Sequence, residues 1–192
     1  FSTAVWLGKW FFSIDVREYG SGNAGATNAF RILGAKTGVL VLLIDVLKGT
    51  MAVYLAFLPR ILNFDFILPD TEQFANLQLA LGIAVLIGHI FPIFSGFRGG
   101  KGIGTLLGII ISIHPLAALL LMAVFLLVLF LSKYVSLSSM AAALAFPIIV
   151  MGLFQNSIPA LNIFATFVPI MVLITHQKNI ERVTGGELGL RI

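Results

Sequence analysis

Three polar stretches interrupt an oily chain, and each carries groups able to bind a phosphate or move a proton. The first is Gly20-Ser21-Gly22-Asn23-Ala24-Gly25-Ala26-Thr27-Asn28, with Arg31 close behind. The second runs from Gly88-His89 through Pro92 to Phe97-Arg98-Gly99-Gly100-Lys101-Gly102. The third is His176-Gln177-Lys178-Asn179-Ile180-Glu181-Arg182, followed by Gly185-Gly186-Glu187. Glycines let backbone N–H groups approach an anion, and a helix starting just after them favours negative charge. Arginine grips a phosphate through its planar fork, whereas lysine acts as a point charge.

Neither glycine run is a nucleotide motif. Gly20 to Gly25 fit G-x-G-x-x-G, but that fingerprint needs a strand before it and a βαβ frame around it. Gly96 to Lys101 resembles a phosphate-binding P-loop only loosely, because Ser95 stands where the first glycine belongs and Gly102 follows the lysine. What survives is the underlying physics, and a phosphate site is the natural inference.

The elements that must position these stretches are membrane helices. Of 192 residues, 59% are hydrophobic and 10% are charged, and the mean hydropathy is +1.05. An ordinary soluble domain carries roughly 25% charged residues. The apolar residues fall in long runs at 1–12, 37–58, 76–94, 103–131, 137–155 and 157–175. The run 103–131 exceeds the ~20 residues of one crossing and contains His114-Pro115, where proline and its restricted neighbour break a helix. Breaking it there gives an all-α, polytopic bundle of about seven transmembrane helices, the first only partial in this chain. Phe1 to Phe12 reads as the tail of a helix, with a cleaved signal peptide as the competing reading. With seven spans, Arg17, Arg31, Lys36, Arg98, Lys101, Lys133, Lys178, Arg182 and Arg191 share one face. The other face holds Arg60 beside Asp65, Asp70 and Glu72. Positive residues mark the cytoplasmic side, so the N-terminus is expected outside and the C-terminus inside. All three polar stretches then face the cytoplasm. At ~1.5 Å per residue, 103–113 is too short to cross a ~30 Å core and is expected to stop partway or to share its depth with the glycine loop before it. The absence of cysteine removes disulfides, thiolate metal sites and a cysteine nucleophile. A net charge of +4 gives no reason to invoke nucleic acid.

The runs GSGNAGATN with Arg31, GHIFPIFSGFRGGKG with Thr105, and HQKNIERVTGGE resemble the three signature regions of the bacterial acyl-phosphate:glycerol-3-phosphate acyltransferases. The resemblance covers nearly the whole chain, in order, with Arg98 where a lysine is more usual. It implies one transmembrane acyltransferase domain over 1–192, monomeric, in the bacterial inner membrane with its site facing the cytoplasm. The implied substrates are acyl phosphate and glycerol 3-phosphate, with membrane lipid around them and neither cofactor nor metal. The implied catalytic residues are Ser21, Arg31, Lys101, His176 and Asn179. Gly22, Asn23, Asn28, Gly99, Gly100, Gly102 and Ser139 are the implied phosphate-binding residues, Ser139 by the family pattern. His176 and Asn179, three residues apart, would face the same way at the end of the seventh helix. Acyl phosphate is a mixed anhydride, so direct attack by the glycerol hydroxyl is expected, without an acyl-enzyme, with His176 or a substrate phosphate oxygen as the base.

Duller roles compete at each position. Gly22 and Gly25 also suit close helix packing, and Arg31, Lys101 and Lys133 also suit helix ends anchored in headgroups. His89 reads as a helix-end packing residue, and His114 as structural beside Pro115. Asp45 and Lys48, three apart within a span, are expected to neutralise each other. Glu181 and Glu187 read as tethers or caps. A transporter would spread polar residues through mid-membrane on several helices, whereas here they gather at one surface. The acyl-CoA enzymes that use a histidine followed five residues later by aspartate are not matched, because Phe94, Leu119 and Glu181 follow His89, His114 and His176 at that spacing. The paired aspartates of CDP-alcohol transferases are missing as well.

Overall fold

A computed structural model describes residues 1–62 and 71–184. Within them the secondary structure is helical: α1 (Thr3–Phe12), α2 (Ala26–Leu33), α3 (Ala35–Tyr54), α4 (Leu58–Ile61), α5 (Glu72–Ile90), α6 (Ile103–Ile113), α7 (Pro115–Ser132), α8 (Val135–Pro147), α9 (Pro159–Thr175) and α10 (Gln177–Thr184). Asp65, Asp70, Gly185, Gly186, Glu187 and Arg191 lie outside the described residues. Among the described residues, four stretches are long and apolar enough to cross a membrane: Ala35–Phe57, Glu72–Ser95, Pro115–Ser132 and Val135–Leu153. Ile103–Ile113 and Pro159–Thr175 are shorter apolar helices.

Contacts divide the chain into two compact units at the expected break, Phe1–Ile113 and the remainder from His114. His114 leaves helical geometry (φ −145°, ψ 78°), and its Nδ1 accepts the Ala117 N–H at 3.2 Å, capping α7 with Pro115 in the first turn.

In the first unit, α3 buries the stripe Gly38, Val41, Asp45, Gly49, Val53 and leaves Leu40, Leu43, Leu47 and Met51 exposed. One face packs on protein and the other presents hydrocarbon, as a helix in lipid should. Small residues set the depth of packing. A Cβ on Gly49 would strike the Thr105 carbonyl, and one on Gly108 would strike the Val46 carbonyl, so α3 and α6 cross backbone to backbone. Gly82 of α5 meets the Ile109 side chain. These contacts bury Thr105, Leu106, Gly108, Ile109 and Ile110 of the 11-residue α6.

The stretch from Ala26, expected as loop, is instead the helix α2. It buries Asn28, Ala29 and Leu33, joins α3 through Gly34 (φ 88°), and rests Phe30 against Gly38. Polar composition hid it, because two of its inward positions carry no large apolar group.

The second unit is a run of α7, α8, α9 and α10. Lys133 adopts a left-handed conformation (φ 63°) that turns α7 into α8. After Pro147 the helix widens into a π turn over Ile148–Leu153. Asn156 and Asn162 exchange amide hydrogen bonds that close the turn before α9.

Candidate active site

The first polar stretch is a loop pinned by one buried amide. Asn28 is 1% exposed, donates Nδ2 to the carbonyls of Val16 (2.7 Å) and Tyr19 (3.2 Å), and accepts the Ser21 N–H at 2.9 Å. Both amide hydrogens are thus spent on the chain. In this conformation Asn28, expected as a phosphate ligand, shapes the loop that presents Ser21. Gly20 (φ 61°) has no room for a Cβ, which would press on Asn28 Oδ1, whereas Gly22 (φ 72°) has only the Arg17 carbonyl within reach, at 3.5 Å. Asn23 Oδ1 is buried and, among the described residues, has no hydrogen-bond partner. Gly25 is extended before α2, which starts with no side-chain cap and no acidic residue in its first turn. Its first N–H groups therefore carry positive potential that nothing on the helix offsets. Arg31 lies on this helix and is part-buried.

The second stretch caps α5. The Gly99 N–H donates to the Ile90 carbonyl (3.1 Å) and the Gly100 N–H to the His89 carbonyl (3.3 Å). These two N–H groups, expected to face a phosphate, satisfy the last carbonyls of α5 instead. The glycines are required by space: a Cβ on Gly99 would meet the His89 and Ile90 carbonyls and Pro92, and one on Gly100 would meet His89 Nε2. Gly102 (φ 80°) then turns the chain into α6, whose first turn holds no acidic residue. Lys101 sits between these two fixed points.

The two stretches touch. A Cβ on Gly100 would stand 3.2 Å from the Ala24 carbonyl. Arg17 ties them a second time, donating Nη1 to the carbonyls of Ser95 (2.5 Å) and Arg98 (3.3 Å) while Nε and Nη2 hold Asp15 at 2.9 and 2.6 Å. The Arg17 guanidinium keeps the Asp15 carboxyl well below the usual carboxylate range, and Asp15 in turn raises Arg17. In the sequence alone Arg17 reads only as a positive-inside charge. The Asp-x-Arg spacing just before the glycine loop was the available signal. Within the first unit, then, the stretch carrying Ser21, Gly22, Asn23 and Asn28 is joined through Gly100 and Arg17 to the stretch carrying Gly99, Gly100, Lys101 and Gly102; Arg31 follows in the last turn of α2, and Asn28, Gly100 and Gly102 are buried. A 390 Å³ cavity lined by Lys9, Ser13, Ile14, Asp15, Glu18 and Tyr19 borders the Arg17 clamp and contains none of the expected site residues.

In the second unit, His176 is the residue at which α9 ends and α10 begins. Asn179, expected at the end of the preceding helix, lies on α10 and donates its N–H to the His176 carbonyl at 2.8 Å. The turn keeps the two residues neighbours. His176 Nδ1 lies 2.8 Å from the Val172 carbonyl, which only accepts, so Nδ1 carries the proton and Nε2 is the nitrogen with a lone pair in the neutral ring. Ser139 is 4% exposed and donates its hydroxyl to the Val135 carbonyl at 2.8 Å.

Comparison with known proteins agrees across the full length. The glycerol-3-phosphate acyltransferase family profile matches residues 1–186. The chain is 41% identical over 209 residues to the glycerol-3-phosphate acyltransferase of Chlorobium limicola, covering 96% of this chain and 88% of that one. It is 43% identical over 185 residues to the enzyme of Listeria monocytogenes, covering 96% and 87%. Among solved structures it superposes on PlsY (YgiH), an integral membrane glycerol 3-phosphate acyltransferase, in its glycerol 3-phosphate form. That match has a TM-score of 0.81 and 31% identity, and covers 100% of this chain and 90% of that one. The lysophosphatidic acid form of PlsY matches with a TM-score of 0.73 and 34% identity, over 90% of this chain and 81% of that one.

Proposed function

This chain belongs to the glycerol-3-phosphate acyltransferase family, and we propose that it moves a fatty acyl group from acyl phosphate to the primary hydroxyl of glycerol 3-phosphate. The products are lysophosphatidic acid and inorganic phosphate. The observation that carries this reading is the joined pair of glycine stretches in the first unit. There two helix starts without acidic residues fall on joined stretches, with Lys101 just ahead of α6 and Arg31 in the last turn of α2, cations of the kind a phosphomonoester binds. PlsY, a relative that matches along this whole chain, has been crystallised in glycerol 3-phosphate and lysophosphatidic acid forms.

The reaction is a direct displacement. The glycerol hydroxyl attacks the acyl carbon, the tetrahedral oxyanion collapses, and phosphate leaves with the mixed-anhydride oxygen. Arg31 and Lys101 hold the phosphates, and Ser21 donates from its loop, so that proximity and fixed charge supply most of the rate. The hydroxyl proton passes to a phosphate oxygen of the substrate. His176 and Asn179 act in the same reaction, His176 through Nε2, since Val172 holds Nδ1. Ser139 exchanges its Val135 carbonyl for a phosphate oxygen. The chain works as a single-domain monomer of the bacterial inner membrane, N-terminus out, C-terminus in, with its reacting groups on the cytoplasmic side.

Purified protein given palmitoyl phosphate and glycerol 3-phosphate releases phosphate and lysophosphatidate without added metal, and palmitoyl-CoA does not replace the donor. Equal turnover of the CoA ester overturns the donor assignment. His176→Gln retaining most of kcat while His176→Ala loses it identifies the ring as a hydrogen-bonding group, whereas equal loss in both makes it the base.

A further inference from the structure

Between α1, α3, α5 and α6 the first unit buries a polar cluster that the reaction does not use. Thr3 Oγ1 donates to Asp45 Oδ1 at 2.9 Å, and Lys48 Nζ donates to the same oxygen at 2.7 Å. Lys48 Nζ also lies 2.5 Å from His89 Nδ1, with Thr105 Oγ1 3.2 Å from that nitrogen. Thr3, Asp45, His89 and Thr105 are all at least nine-tenths buried. Leucine at positions 45 and 48 would span lipid at lower cost, since each charge here must be compensated internally.

The chemistry of the cluster fixes the ring of His89. An ammonium only donates, so Nδ1 accepts and the imidazole proton sits on Nε2. Nε2 is the edge against which Gly100 lies, where a Cβ would overlap it. The His89 carbonyl meanwhile takes the Gly100 N–H. On the far side of Lys101, Thr105 bonds the same ring, and a Cβ on Gly104 would stand 3.1 Å from Asp45 Cβ. The residues before and after Lys101 are therefore both seated on one cluster.

We propose that Asp45, Lys48 and His89 are positioning residues for the transferase reaction: they lock His89 against Gly100 and Thr105, and so set where Lys101 meets a substrate phosphate. The proposal rests on the reading of Lys101 as a phosphate ligand. Displacing a binding group by ~1 Å costs about a hundredfold in rate, so the effect is measurable.

The test is a set of variants in purified, detergent-solubilised protein, with thermal unfolding as the folding control and kcat/KM as the readout. His89→Leu loses about thirtyfold in kcat/KM, whereas His89→Asn, whose Oδ1 accepts from Lys48 as Nδ1 does but which lacks the Nε2 edge against Gly100, loses clearly less, about tenfold. In a Lys101→Arg background, where the cation no longer sits where the cluster places it, His89→Leu costs less than about fivefold. If His89→Leu fails to fold, Asp45→Asn with Lys48→Met removes the pair without stranding a charge and shows the same drop and the same dependence on Lys101. Wild-type kcat/KM in His89→Leu, equal loss in His89→Asn, or a full thirtyfold loss in the Lys101→Arg background each overturns the proposal. Failure of the donor assignment is seen separately, in wild-type protein that does not use palmitoyl phosphate. The variants are then compared with the donor that it does use.

Discussion

The two glycine stretches of the first unit look alike in sequence and are held by different physics. In the stretch around Gly20 and Gly22 the backbone takes positive φ, and a buried side-chain amide, Asn28, satisfies the loop. In the stretch around Gly99 and Gly100 the backbone caps α5, and the glycines exist because carbonyls and an imidazole occupy the space a side chain would need. At Gly22 the requirement is conformational alone, though Gly20 beside Asn28 also lacks room for a Cβ, and conformational strain is bounded at roughly 1–2 kcal/mol per residue. In the second stretch the requirement is one of volume against backbone, which yields far less.

The largest effect should therefore come from Gly100→Ala. Its methyl would overlap His89 Nε2 and crowd the Ala24 carbonyl, so it pushes the two stretches apart and moves Lys101. A loss above about a hundredfold in kcat/KM is expected, with a lowered unfolding temperature. Near-normal activity in Gly100→Ala would show that the second stretch shifts freely, and the contrast between the stretches would disappear.

Next is Asn28→Ala. It removes one of two hydrogen bonds at each of the Val16 and Tyr19 carbonyls and takes the side-chain acceptor from the Ser21 N–H, and at about 1 kcal/mol per lost bond the expected destabilisation is about 2–3 kcal/mol, read from chemical unfolding. Asn28→Asp keeps the acceptor for Ser21 but sets a buried carboxylate oxygen against the two carbonyl oxygens, and should lose at least as much as Asn28→Ala. If Asn28→Ala leaves stability unchanged while abolishing activity, the amide touches substrate and does not simply hold the loop.

These two residues also mark how far the sequence could be read. The helical runs were legible because apolar length and the His114-Pro115 break are local properties, and each expected run is a helix within a few residues. Helix α2 was not legible, since its inward face is Asn28, Ala29 and Leu33 and its docking depends on Gly38 of α3. The residues of the site were legible as types, but the use of their N–H groups was not. Whether Gly99 and Gly100 donate to a ligand or to α5 depends on how the chain folds back at Pro92. Likewise Asp45 and Lys48 were legible as a pair, and they are one at 2.7 Å, yet their link to His89 crosses 41 residues and leaves no periodic trace.

Arg17→Lys tests the second tie between the stretches. Lysine keeps the charge but cannot hold Asp15 and reach the Ser95 and Arg98 carbonyls together, so about a tenfold loss in kcat/KM is expected. The pH dependence has a definite sign. Because Arg17 depresses the Asp15 carboxyl, the clamp's contribution to stability is fully present above the ordinary carboxylate value of ~3.9 and is lost only as pH falls through the lower folded-state value. Wild-type unfolding temperature should then show no Asp15-dependent loss between about pH 8 and pH 5 and should fall in more acid solution, whereas Arg17→Gln, which removes the depression, should be less stable at neutral pH and lose most of that Asp15-dependent acid sensitivity.

The smallest effect belongs to Gly22→Ala, and it decides whether the first stretch is only a shaped loop. Gly22 is exposed, its N–H already donates to the Tyr19 carbonyl at 3.1 Å, and a Cβ finds only the Arg17 carbonyl, so the cost is that of an alanine at φ 72°. About 1 kcal/mol of stability and less than about tenfold in activity should be lost, and Gly22→Asn should lose less, because asparagine tolerates left-handed backbone. If both variants instead lose more than about a hundredfold at unchanged stability, a phosphate must lie where the Cβ would go. Gly22 would then be governed by excluded volume as well, with the substrate in the place that His89 occupies against Gly100 in the second stretch.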